Sequence, residues 1–118
     1  MQHNCRVLHY INPNPFKSSL IHERGDELLA FVNENKHDFT VVANPVMEFH
    51  EDAVDVLNEI YRLTNSVDYA WYDCEKSKPT KKTKQNGCRS TSIGDVIEID
   101  NQQYLVDSFG FTCLKNNT

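Results

Sequence analysis

Gly94-Asp95-Val96-Ile97-Glu98-Ile99-Asp100-Asn101-Gln102-Gln103-Tyr104-Leu105-Val106 is the stretch whose reading decides the fold. Val96, Ile97 and Ile99 are strand formers, Glu98 and Asp100 fall on the alternate face, and the polar pair Asn101-Gln102 reads as a turn before Tyr104, Leu105 and Val106 run back. Alternation at period two bounded by turn residues specifies a β-hairpin. Downstream, Ser108-Phe109-Gly110-Phe111 places a glycine between two aromatics, which marks a bulge or a close backbone approach before a last strand at 111–114.

The rest of the chain supplies partners for this hairpin. Val7, His9 and Ile11 alternate with Leu8 and Tyr10, giving a first strand at 5–11, and Pro13 and Pro15 end it by fixing φ and withholding amide donors. Asp38-Phe39-Thr40-Val41-Val42-Ala43 is short and β-branched, a second strand at 39–43 stopped by Asn44-Pro45. Between them, 19–35 reads as a helix broken at Gly25, with Ser18 or Ser19 as cap, Asp26 as a second start, and Leu28, Leu29, Phe31 and Val32 at helical spacing. The firmest helix is 50–64. There Ala53, Val54, Val56, Leu57, Ile60, Tyr61 and Leu63 form an apolar stripe, acids crowd the first turn and Arg62 sits in the last, as the helix dipole favours. The expected architecture is α+β: a small mixed or antiparallel sheet with a C-terminal hairpin, and two helices packed on one face.

A chain of 118 residues, 39% hydrophobic and 25% charged, suits a single domain spanning 1–118. Six Phe, five Tyr and one Trp argue for a packed body. No apolar run approaches the roughly 20 residues of a membrane span, and Met1-Gln2-His3-Asn4-Cys5 has neither the basic nor the apolar region of a signal peptide, so the host-cell cytosol is the expected location. Cys5, Cys74, Cys88 and Cys113 are scattered and expected to remain thiols. The net charge of −5 is unevenly spread. Thirteen acids face three bases between Glu23 and Glu75, whereas 76–89 carries Lys76, Lys78, Lys81, Lys82, Lys84 and Arg89 with no acid. With no large apolar residue to bury, 76–87 reads as a mobile basic loop.

Motifs for chemistry are sparse. No Cys-x-x-Cys or His-x-x-x-His pair exists, so neither zinc nor any other metal or cofactor is expected. The four glycines are isolated, which excludes a glycine-rich phosphate loop. Any cysteine could pair with one of the five histidines, yet none lies in a nucleophile turn. Paired carboxylates such as Asp95 and Glu98 read as capping groups and a solvated strand face. The chain is therefore not expected to be an enzyme, although a small enzyme with an unrecognised site stands as a third alternative.

Two surfaces remain. Tyr69, Trp71 and Tyr72 form a dense aromatic cluster that reads either as core, with Trp71 beside the helix, or as a contact surface for a partner. Arg89, Ser90 and Ser92 either hydrogen-bond the local backbone or offer a guanidinium and hydroxyls to an anionic ligand. Together Tyr69, Trp71, Tyr72, Arg89, Ser90 and Ser92 are candidate partner-binding residues. Lys78, Lys81, Lys82, Lys84 and Arg89 are the alternative, a phosphate-contacting set for nucleic acid.

Leu63-Thr64-Asn65, Trp71, Arg89-Ser90-Thr91-Ser92-Ile93-Gly94-Asp95-Val96 and Ser108-Phe109-Gly110-Phe111 resemble a group of small uncharacterised bacteriophage and plasmid proteins. That group shares an R-S-x-S-x-G-D-V stretch, a hairpin and a closing glycine-aromatic pair. The resemblance covers about 63–114 and implies a mobile-element origin and an accessory role, with no catalytic residue to carry over. The expected function is a cytosolic accessory protein that binds a host or element-encoded protein as a regulator or inhibitor of host machinery. A nucleic-acid-binding module using the basic segment is the alternative.

Overall fold

A computed structural model describes residues 2–10, 25–48, 52–65, 70–107 and 110–114. The readings at Ile11, Pro13, Pro15, Ser18, Ser19, Glu51, Tyr69, Ser108 and Phe109 lie outside the described residues.

Strands β1 (Gln2–Tyr10), β2 (Phe39–Ala43), β3 (Val46–Glu48), β4 (Val96–Ile99), β5 (Gln102–Asp107) and β6 (Gly110–Cys113) form one antiparallel sheet ordered β2-β1-β4-β5-β6, with β3 also paired to β1. Helices α1 (Gly25–Glu34), α2 (Ala53–Thr64) and α3 (Lys81–Asn86) complete it, giving an α+β fold. The expected hairpin is present with Ile99 opposite Gln102, but its turn is Asp100-Asn101, one residue earlier than the sequence suggests. Both turn residues have positive φ, 47° and 75°, as a two-residue type I′ turn demands, and Asp and Asn tolerate that region better than Gln.

The helices sit on opposite faces of the sheet, not on one. Cys5, Val7, Ile97, Ile99 and Val106 pack with Val56, Leu57, Ile60 and Leu63 of α2 and with Trp71. Tyr10, Val96, Leu105 and Leu114 pack with Phe31 and Val32 of α1. The pleat explains this: adjacent apolar residues such as Val96-Ile97 and Leu105-Val106 point to opposite sides, so each side needs a cover. Every residue of β4 is buried, Glu98 included. Glu98 was expected on a solvated face; it instead accepts from Arg6 Nε at 2.6 Å and Nη2 at 2.8 Å, directly across the β1–β4 ladder. That hydrogen-bonded guanidinium holds its carboxyl below the usual range.

Strand β3 is an addition to the expected set. Pro45 interrupts the strand begun by β2, and its carbonyl accepts from Cys5 N at 3.1 Å, so β1 pairs with β2 on one side of the break and with β3 on the other. The segment 76–87, read from sequence as a mobile loop, carries a 3₁₀ turn at Glu75–Ser77 and the helix α3. Hydroxyls do here what large apolar residues do elsewhere. Ser77 is fully buried and its Oγ donates to the carbonyls of Cys74 at 2.7 Å and Trp71 at 3.1 Å. Thr80 caps α3 by accepting from Thr83 N at 3.3 Å. Asn44 N donates to Lys78 O and Thr80 N to Val42 O, both at 2.9 Å, so the segment is laced to the outer edge of β2.

Candidate functional site

The loop between α3 and β4 carries the R-S-T-S-I-G-D motif, and the structure folds it around one carboxylate. Asp95 is completely buried. It takes a two-pronged ion pair from Arg89, Nη1 to Oδ2 at 2.6 Å and Nη2 to Oδ1 at 2.8 Å. It also accepts from the backbone N–H of Tyr10 at 3.1 Å and of Ser92 at 2.8 Å. Burial alone would raise its pKa, but the Arg89 bonds, the adjacent His9 and the Ser92 amide together hold it below the ordinary carboxylate range. The same pairing raises that of Arg89. Arg89 further donates to the carbonyls of Tyr10 at 3.2 Å and Ser90 at 3.1 Å, tying the loop to the end of β1.

Thr91, also fully buried, joins the loop to α2. Its N–H donates to Thr64 O at 2.8 Å, and its carbonyl accepts from Asn65 Nδ2 at 2.7 Å. Trp71 Nε1 donates to Arg89 O at 2.9 Å. The motif is thus the joint at which β1, α2, the 3₁₀ turn Trp71–Asp73 and β4 meet.

Against this joint the structure sets a pair that sequence reasoning missed. Cys88 Sγ lies 3.3 Å from His9 Nδ1, across seventy-nine residues of chain. The other ring nitrogen, Nε2, is 2.8 Å from Thr91 Oγ1 and 3.8 Å from Asp95 Oδ2. His9 is buried and meets Trp71 edge to face, with ring centroids 6.2 Å apart. Cys88 is half-buried; burial pushes its thiol pKa up, while Arg89 pulls it down and Asp95 adds to the rise, for a net increase. Both residues line a cleft of about 530 Å³ between β2 and α3, together with Thr40, Thr80, Lys82, Asn86 and Arg89. A second cleft, of about 630 Å³, lies by the hairpin turn around Arg6, Glu98 and Asp100.

The candidate residues named from sequence divide accordingly. Trp71, at 1% exposure, is core and offers no contact surface. Tyr72 is half-buried, with its hydroxyl against Gly87. Arg89 directs two of its nitrogens to acceptors within the chain, Ser90 is half-buried and Ser92 is exposed. Lys78, Lys81, Lys82 and Lys84 are exposed. Tyr69 lies outside the described residues. All four cysteines are free thiols, and among the described residues no three His, Cys, Asp or Glu are grouped to hold a metal ion. Among the described residues no helix is long and apolar enough to cross a membrane.

The fold and the joint define a small α+β protein whose motif loop closes a two-sided sheet. In sequence the chain is similar to an uncharacterised protein of Acanthamoeba polyphaga mimivirus, 28% identical over a 94-residue alignment that covers 74% of this chain and 85% of that one. No family model matches the chain, and no solved structure matches it.

Proposed function

We propose that the chain is an accessory protein of a virus or other mobile element, acting in the host cytosol by binding a protein of the host or of the element itself and so regulating or inhibiting its machinery. The observation that supports this is the lysine face of α3. Lys81, Lys82 and Lys84 are exposed on a capped helix that backbone hydrogen bonds hold against β2. A cationic face fixed in place loses little freedom on binding, and it selects a partner with an acidic segment. Tyr72 beside Gly87 supplies an aromatic neighbour. The similarity to a viral protein supports the viral setting, and the reading needs no catalytic step.

Nucleic acid is the second reading, favoured by the same lysines. Against it stands the burial of Trp71 and Tyr10, because single-stranded nucleic acid is held largely by stacking on exposed rings. The two separate in a capture experiment from host lysate at about 0.15 M salt, an ionic strength at which only charges within roughly 8 Å act strongly. A protein captured by the wild type, lost with Lys78→Gln/Lys81→Gln/Lys82→Gln/Lys84→Gln and unaffected by nuclease, is the expected result. Capture abolished by nuclease would transfer the face to nucleic acid.

A further inference from the structure

We propose that Cys88 and His9 form a thiol nucleophile and its general base at the floor of the β2–α3 cleft, serving a small anionic acyl donor such as a thioester or an acyl phosphate. This activity is independent of the partner-binding reading.

The geometry has the three parts that nucleophilic catalysis requires: a nucleophile, a base within reach of it, and a group that orients the base. Sγ is 3.3 Å from His9 Nδ1. Thr91 Oγ1 lies 2.8 Å from Nε2. The Asp95 carboxylate beside the same nitrogen can only accept, so it places the proton on Nε2 and leaves the Nδ1 lone pair facing the thiol. Thr91 cannot drift, because its own N–H and carbonyl are bound to Thr64 and Asn65. Asp95, 3.8 Å from Nε2, faces the imidazolium that forms when His9 takes the proton. The carboxylate is fully buried and held by Arg89 and two backbone amides, so it acts as a preorganised charge in a water-poor site. Lys82 lines the same cleft and would receive the anionic group of the donor.

The thiol keeps its proton at neutral pH, so base and nucleophile act together. His9 Nδ1 takes the Sγ proton as Sγ bonds to the acyl carbon. The bond from that carbon to its leaving group breaks, and the leaving group collects the proton from Nδ1. Water then gives a proton to Nδ1 and its oxygen to the acyl carbon, the C–S bond breaks, and Cys88 departs as a thiol on recovering that proton. The sum is acyl donor plus water giving carboxylic acid plus leaving group, with no oxidant or reductant.

The test uses the full chain with p-nitrophenyl acetate and acetyl phosphate as probes, following acetylation of each cysteine by peptide mass spectrometry. Cys88 should be acetylated at least tenfold faster than Cys113, although Cys113 is the exposed thiol. The Cys88 rate should not follow the thiolate fraction, staying level where the rate of an ordinary thiol still climbs towards pH 9. Cys88→Ser should remove the adduct, and Thr91→Val, which leaves thiol and imidazole in place, should slow it severalfold in protein that still melts cooperatively. Lys82→Gln should slow acetyl phosphate only. Acetylation of Cys88 no faster than of Cys113, or a rate that climbs through pH 9 as for an ordinary thiol, overturns the nucleophile. Equal slowing of both probes by Lys82→Gln overturns the anionic donor.

Discussion

Asp95 gathers bonds from the Arg89 guanidinium and from the amides of Tyr10 and Ser92. In Asp95→Asn the Arg89 guanidinium, 45% exposed, loses its counter-ion, and an NH2 group faces one of the two amides, of Tyr10 and Ser92, that the carboxylate accepts from. Breaking a buried ion pair costs about 3–5 kcal/mol, and the partial exposure of Arg89 puts Asp95→Asn near the lower end, about 3 kcal/mol, measurable by urea unfolding. The folded carboxyls of Asp95 and Glu98 hold their protons less tightly than they would unfolded, so their stabilisation is complete above the unfolded carboxylate values, near pH 4. It drains away as pH falls through the depressed folded values. Melting temperature plotted against pH should therefore drop below about pH 4 in the wild type and drop less in Asp95→Asn. At this scale little was legible in advance. Gly94-Asp95 is readable as a turn before a strand. That Asp95 is buried beneath Arg89 is not, because Tyr10, which bonds to both, comes from the far end of the chain. The Cys88–His9 pair is hidden for the same reason: seventy-nine residues separate the partners, and no local spacing encodes a contact between a strand and a distant loop.

Among elements, those with an alternating or helical apolar pattern are readable, and two short ones without such a pattern, β3 and α3, are not. The hairpin, the strand Phe39–Ala43 and the helix Ala53–Thr64 all have patterns several residues deep. Strand β3 has three residues beyond a proline, and α3 has six with no apolar side. Both exist because of what they touch, and tertiary context overrides weak local preference. For α3 this makes the Thr80 cap and the Gly87 terminus decisive. Gly87 has φ +78°, and a Cβ there would meet the Tyr72 hydroxyl at 3.2 Å. Thr80→Ala should weaken α3 by about 1 kcal/mol, and Gly87→Ala by a similar amount or more. Limited trypsin digestion checks this: both variants should be cut after Lys81, Lys82 and Lys84 faster than the wild type, while their global melts move by a few degrees. Unchanged cleavage would mean that the cap and the turn do not hold the helix.

At the scale of the whole molecule, the two apolar clusters share their central strands. Val96 and Leu105 face α1, Ile97 and Val106 face α2, and these four residues sit side by side on β4 and β5. Neither cluster can open without disturbing the ladder that the other uses. Both helices are readable as amphipathic, but an arrangement on a single face leaves no cover for the second side to which Val96 and Leu105 point. The consequence is that damage on one side must be felt on the other. Trp71 is the chain's one tryptophan and belongs to the α2 side, so its fluorescence reports that cluster. Leu105 is fully buried on the α1 side. Leu105→Ala should cost about 2–5 kcal/mol and, at roughly 4 °C per kcal/mol for a chain of this size, lower the melt by about 8–20 °C. The Trp71 transition should fall together with the far-ultraviolet circular dichroism transition, since one cooperative unit unfolds once. Ile60→Ala, made from the α2 side, should likewise shift both signals together. If Leu105→Ala lowered the dichroism midpoint and left that of Trp71 in place, the two faces would be separable units and the shared strands would not couple them.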